Sequence, residues 1–261
     1  MDFVVCVKQV PSTETKVRIN TQTNFVDLTE VEWVVNPFDE YALETALRLK
    51  EGKAAGTITA VGLGPERVKV ALRTSLAMGV DAAVHVCDPL FDGIDALSSG
   101  RVLAAAIKRL PYDLVLCGKQ AVDDDQAAVP AAVAHFLSIP HVALVPEVEV
   151  NGETGEVTAR REVEGAIEVV KARLPCLLTI GKTKFEPRYP TLKLMMASKK
   201  KEIPVLGAAD LGLDPAALTR RLEYLEDRLP PGRKPGRVLE GEPNQTVPEL
   251  VRLLHEEAKV V

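Results

Sequence analysis

Aromatic side chains are scarce in this chain, making up 4% of its 261 residues with a single tryptophan, Trp33. A flavin enclosed by these residues alone would want more ring surface for stacking. Histidine is thin as well, and His85, His135, His141 and His255 stand far apart. The four cysteines, Cys6, Cys87, Cys117 and Cys176, form no CxxC pair, and each sits in or ends an apolar run. That spacing offers no zinc-ligand set and no Cys–His nucleophile, so the cysteines read as small reduced core residues. No stretch of the sequence approaches the ~20 apolar residues of a membrane span. The net charge of −5 supplies no basic face for nucleic-acid phosphates. Met1-Asp2-Phe3-Val4-Val5 lacks the basic n-region of a signal peptide, and the expected location is cytoplasmic. A Walker A sequence and a Ser-His-Asp set are both missing. Gly62-Leu63-Gly64-Pro65 has the GxG of a dinucleotide fingerprint without its third glycine. It suits a tight turn that lets backbone approach a base or ribose.

What is present is a hydrophobic fraction of 46%, enough for a real core. Strand and helix signals alternate through the first 145 residues. Phe3–Val7, Thr57–Leu63, Ala82–Val86 and Asp113–Cys117 are short apolar runs of the kind buried on both faces of a parallel sheet. Helices are expected between them, the first opened by Asn36-Pro37-Phe38-Asp39, with Asn36 as cap, and running to about Glu51. Others are expected after Pro65, over Gly93–Leu110 and over about Gln126–Leu137, with a fifth strand starting at His141–Val145. The pattern predicts a doubly wound, mostly parallel α/β sheet with right-handed crossovers, in a flavodoxin-like arrangement. Around Asn151-Gly152 the alternation of Glu147–Val150 and Glu156–Arg160 signals a hairpin. Ala166–Lys171 and Pro175–Ile180 add two strands that extend the sheet in antiparallel fashion or form a small sheet of their own. Residues 227–244 are rich in proline and glycine, and Gln245–Lys259 forms an amphipathic helix carrying Val247, Leu250, Val251 and Leu254 on one face. The expected division is an α/β nucleotide-binding domain over 1–226, with an antiparallel extension at 147–181, followed by a linker and arm over 227–261.

Ligands of open α/β sheets bind beyond the carboxyl ends of strands, where the strand order switches. Three loops leave such ends: Lys8–Thr15, Gly62–Pro65 and Gly118–Pro130. The third holds Asp123-Asp124-Asp125, which could cap the next helix, coordinate a cation or pair with Lys119. Behind them, small Ala127 and Ala128 leave the first helical turn open for a phosphate. An acidic helix cap without a ligand satisfies the same residues.

Several segments together resemble the β subunit of electron-transfer flavoproteins over essentially the whole length. They are Val5-Cys6-Val7-Lys8-Gln9-Val10, Asn36-Pro37-Phe38 leading to Ala46–Glu51, Arg73–Gly79 and Gly118–Asp125. The most specific is Glu186-Pro187-Arg188-Tyr189-Pro190-Thr191-Leu192, followed by Met196-Ala197-Ser198-Lys199-Lys200-Lys201. The resemblance implies a heterodimer with a flavin-bearing α subunit, passing electrons from acyl-CoA and other dehydrogenases to a membrane quinone reductase. FAD would sit mainly on α and a structural AMP in this chain, which would carry electrons without a catalytic site of its own.

By family position the AMP contacts fall on Cys6, Asn36, Leu63, Ala121 and Asp124, then on the backbone of Ala127, Ala128 and Val129. The family's polar loop is here Ala-Ala-Val, and Pro130 donates no N–H, so Gln126 is a further candidate. Relatives that bifurcate electrons hold a second FAD in this site on a loop reading Asp-Gly-Asp-Thr. This chain has Asp124 and Gln126, which favours AMP. The implied partner-docking segment is Tyr189–Ala197, within 186–201, with Leu192 as anchor beside Leu194, Met195 and Met196. Glu162 falls where it pairs with an α-subunit arginine and biases domain orientation. Thr13 and Phe38 fall on the flavin side. A free-standing nucleotide sensor similar to universal stress proteins is the competing reading from another class.

Overall fold

The computed structural model describes residues 1–52, 56–232 and 235–261. The chain opens with β1 (Phe3–Cys6), β2 (Gln9–Pro11), β3 (Ile19–Asn20), β4 (Phe25–Val26) and β5 (Trp33–Val35). Helices and strands then alternate: α1 (Pro37–Glu51), β6 (Ile58–Leu63), α2 (Val68–Met78), β7 (Ala82–Val86), α3 (Ala96–Ile107), β8 (Leu114–Gly118), α4 (Val129–Leu137) and β9 (His141–Val145). Next come β10 (Glu147–Asn151), β11 (Glu156–Val163), β12 (Ala166–Arg173) and β13 (Cys176–Ile180). The remainder holds α5 (Leu192–Lys200), β14 (Val205–Leu206), α6 (Ala208–Leu211) and α7 (Pro243–Glu256).

Seven strands form the central sheet in the order β14-β7-β6-β1-β8-β13-β9, and every pairing is parallel. From β1 the chain winds outward through β6 and β7, then crosses back to lay β8 on the other side of β1. A flavodoxin-like sheet would run 2-1-3-4-5. Here both early crossovers go the same way before the direction reverses, so the centre runs 3-2-1-4 and corrects that expected arrangement within the doubly wound class.

Period-two alternation divides the core between two faces. Phe3 and Val5 of β1 join Leu43, Leu47 and Leu72 from α1 and α2, while Val4 and Cys6 join Leu103, Ile107 and Val133 from α3 and α4. Each such fully buried aliphatic side chain contributes roughly 1.5–3 kcal/mol relative to exposure. Strands β10–β12 form a separate antiparallel sheet whose Val157 and Ala159 pack onto the α1 face. The strand after it departs from expectation. Cys176–Ile180 neither joins that sheet nor extends the main one antiparallel, but re-enters the centre in parallel between β8 and β9. Its five residues are all buried, so only a slot covered on both faces suits it.

Helix ends follow local chemistry. Pro37 opens α1, Asp39 and Glu40 lie in its first turn, and Arg48 and Lys50 in its last. The third helix is shorter than expected because Asp95 caps it, accepting a hydrogen bond from Ser98 N–H at 2.8 Å. Likewise α4 starts at Val129, not Gln126, with a proline in its first turn. No helix of the described residues is long and apolar enough to cross a membrane.

The chain divides into two units. One comprises Met1–Val17 with Asp27–Leu225, and the other Arg18–Val26 with Glu226–Val261. The second is more than a tail, because the β3–β4 hairpin belongs to it: Val26 N–H donates to Asp227 Oδ2 at 3.0 Å and Asp227 N–H to the Asn24 carbonyl at 2.8 Å. Its helix α7 has no buried residue, and Val247, Leu250 and Val251 are exposed.

Candidate functional site

The switch in strand order lies between β1 and β8, and a cavity of about 270 Å³ opens there beyond the carboxyl ends of β1, β6 and β8. Asp39, almost fully buried, ties those ends together. Its Oδ2 accepts from Lys8 N–H at 2.7 Å, just past β1, and its Oδ1 accepts from Gly118 N–H at 2.9 Å, at the end of β8. Burial pushes the carboxyl up to about 7, against the lowering effect of those two N–H donors. Only glycine fits at 118, since a Cβ there would stand 2.4 Å from Asp39 Oδ1 and 2.8 Å from the Phe38 backbone.

Asn36 does not cap α1 with its side chain. It reaches across to the loop after β8 instead, donating to the Gln120 carbonyl at 2.9 Å and accepting from Val122 N–H at 3.2 Å. Two hydrogen bonds to a loop without regular structure satisfy a buried amide better than one exposed cap. The acidic triplet is resolved in a similar way. Lys8 Nζ, not Lys119, sits between Asp123 at 2.8 Å and Asp124 at 3.0 Å. Burial opposes the Lys8 charge, but the two carboxylates hold its pKa above the ordinary value. Lys119 lies over the Phe38 ring at 4.7 Å. Asp125 accepts from Gln120 Nε2 at 2.6 Å.

Beyond the carboxylates the backbone turns left-handed at Asp125 (φ 50°) and Ala127 (φ 52°). For alanine this conformation costs about 1–2 kcal/mol, so the surrounding bonds must hold it. The result is an open first turn of α4. The N–H groups of Ala127, Ala128 and Val129 meet no protein acceptor among the described residues. Across the cavity the GxG turn is also fixed: Gly64 has φ 141°, its N–H donates to the Val86 carbonyl at 3.0 Å, and buried His85 Nε2 donates to the Gly64 carbonyl at 2.9 Å. That bond sets the His85 tautomer.

Three of the cysteines, Cys6, Cys117 and Cys176, are small core residues, while Cys87 is only half-buried. Cys6 and Cys117 are neighbours at the cavity floor, and the Cys6 hydrogen bond together with burial holds the Cys117 thiol well above its usual range. Burial pushes Cys176 up to about 11.

Cys6, Asn36, Leu63, Ala121, Asp124, Gln126, Ala127, Ala128 and Val129 all line this one cavity. Phe38 stands beside it, on α1. Thr13 lies apart in an exposed turn after β2, and Glu162 is exposed on β11 opposite Ile167. Tyr189 is 92% exposed, Leu192 71% and Met196 62%, with Met195 also outward; Leu194 turns inward. Most of this segment is helical, because Thr191 caps α5 by accepting from Leu194 N–H at 3.3 Å. The basic run is not simply solvated, since Lys201 Nζ donates to the carbonyls of Val80 at 3.0 Å and Asp81 at 2.7 Å.

A family model described as the electron transfer flavoprotein domain matches residues 23–211. The chain belongs to the electron transfer flavoprotein family. Its relatives are β subunits by name. The electron transfer flavoprotein subunit beta of Bacillus subtilis is 41% identical over 263 residues, covering 100% of both chains. That of Thermoanaerobacterium thermosaccharolyticum and that of Sus scrofa are each 36% identical over 259 residues, covering 98% of both. For an electron transfer flavoprotein β subunit, a switch-point cavity beside two helix starts is a natural place for a nucleotide.

Three contributors escaped the sequence. Asp39 was legible only as a favourable first-turn acid, His85 only as an isolated histidine, and Tyr224, which also lines the cavity, lies far along the chain in an irregular stretch. No local signal marks any of them, because each acts through a partner 21 to 98 residues away.

Proposed function

We propose that this β-type chain works as half of a heterodimer with a flavin-bearing α subunit, and that its switch-point cavity holds AMP as a structural group. The observation that carries this is the convergence on one cavity of the eight residues assigned by family position and of Gln126, with three unpartnered N–H groups at the start of α4. Ala127, Ala128 and Val129 would donate to the phosphate, with the α4 dipole behind them. Cys6, Leu63 and Ala121 would face the base and ribose, and Asn36 would hold the loop in register. A FAD held mainly by the α subunit would supply the redox chemistry. The residues of this chain bind and position, so it acts as an electron carrier subunit and not as a self-contained enzyme.

In this reading the donors are acyl-CoA and related flavin dehydrogenases and the acceptor is a membrane quinone reductase. Exposed Tyr189, Leu192, Met195 and Met196, with Leu194 beneath them, form the surface for partner docking. Glu162, Thr13 and Phe38 would face the flavin-bearing subunit, and the 227–261 segment would serve as an arm against it. A cytoplasmic location accords with four unpaired cysteines. Acid-quenching the purified heterodimer and weighing the released cofactors tests the proposal. One FAD and one AMP are expected; two flavins would replace AMP by FAD and make this a bifurcating complex.

A further inference from the structure

The stretch after the short turn Pro215–Leu218 has neither helix nor strand, yet it is held in place. Leu218 is buried in the core against α3. Arg221 N–H donates to Asp95 Oδ2 at 3.0 Å, the same carboxylate that caps α3. Burial would raise the Asp95 carboxyl, but the N–H donors of Ser98 and then Arg221 hold it below the usual carboxylate range. Three residues further on, Tyr224 lines the cavity, and its hydroxyl accepts from Gln126 Nε2 at 3.0 Å. The Arg220 guanidinium lies over its ring at 5.2 Å. Residues 219–225 therefore form a strap from the α3 side of the cavity to the α4 side, latched at the residue that precedes the open N–H groups.

We propose that Tyr224 is a retention and specificity residue of this cavity: its strap closes the α4 end over a mononucleotide and obstructs any ligand that continues beyond its first phosphate. This rests on the adenine-nucleotide reading above. A phosphate on Ala127–Val129 would lie next to Gln126, so a second phosphate or a flavin tail would run outward against the Gln126–Tyr224 bridge. Tyr224 is 52% exposed, so its removal leaves the core unchanged and Tyr224→Ala folds.

The experiment uses the full chain purified with its coexpressed α subunit, loaded with radiolabelled AMP and chased with excess unlabelled AMP. Tyr224→Ala is expected to release AMP about tenfold faster, the worth of one hydrogen bond and its packing, and Tyr224→Phe about threefold faster. In competition, Tyr224→Ala should also shift the AMP-to-FAD preference toward FAD, which a purely structural residue would not do. Unchanged release in both variants with an unchanged preference overturns the role of Tyr224 while leaving the nucleotide reading standing. Wild-type protein that holds no adenine nucleotide overturns the cavity reading, and the strap proposal with it.

Discussion

Asp39 shows how one side chain can hold a switch point together. A carboxyl that must join β1 to β8 has to be buried, and burial makes it reluctant to ionise. The folded pKa of about 7 lies above the ordinary 3.8, so the native state binds a proton the unfolded chain has released between those values. Stability from this group is therefore present in acid and declines as pH rises, with a slope of about 1.4 kcal/mol per pH unit, levelling off above about pH 7. Asp39→Asn cannot titrate. Urea denaturation of both proteins from about pH 5 to about pH 8 should show this slope only in wild type. Equal slopes would mean that Asp39 is ionised throughout. Residues of this kind were the least legible in the sequence. Asn36 was marked as the cap of α1, but its amide serves a loop 84 residues away instead of its own helix. Proximity in sequence says nothing about such a bond.

At the scale of elements, α1 carries more than its share. The segment before α5 is bound to it four times: Arg48 lies over the Phe185 ring at 4.2 Å, Tyr41 donates to Glu186 at 2.8 Å, and Arg188 grips both Glu44 (2.7 Å) and Glu51 (2.6 Å). Burial would raise the Glu44 carboxyl, but Arg188 and Arg48 hold it below its usual range, so its contribution persists above that range and is lost in acid. Arg188→Ala strands a buried carboxylate on Arg48 alone. A loss of about 2–3 kcal/mol is expected by chemical denaturation, below the full value for a buried pair because Arg188 is partly exposed. Glu44→Gln in that background should recover part of it. Leu192 lies just beyond this clamp and projects outward. If it anchors partners, Leu192→Ala slows electron transfer from a dehydrogenase at least severalfold while flavin content stays constant. Unaltered stopped-flow rates would remove the docking role. The parallel strands β1, β6, β7, β8 and β9 and the helices between them were legible from apolar runs, since local periodicity decides them, whereas the short strands β2 to β5 were not. The destination of β13 was not, because an apolar run of five carries no record of its neighbours.

For the whole molecule, the division into two units sets a further expectation. Arg18–Val26 and Glu226–Val261 hold to each other, and α7 exposes an apolar face of Val247, Leu250 and Val251. Ending the chain at Leu225 should leave the parallel-sheet unit folded, with unchanged β8 and β13 amide protection in hydrogen exchange. Coexpression with the α subunit should then yield far less heterodimer by sedimentation. Full assembly of the truncated chain would show that the tail is not the arm. The amphipathic pattern of α7 was plain in the sequence. Its companion hairpin was not, since nothing in Ile19–Val26 records a partner 201 residues downstream.

The position of β13 also bears on how the protein is made. On a ribosome, β8 and β9 emerge well before Cys176–Ile180, yet that strand belongs between them. The chain must leave a gap and pass through the three strands of the separate sheet before returning to fill it. Until residue 180 has cleared the exit tunnel, β8 has an open edge, and a premature contact between β8 and β9 would be a trap to undo. Parallel insertion of this kind depends on distant pairing and is slow. The nascent chain is therefore most vulnerable from the emergence of β9 until residue 180 has left the tunnel.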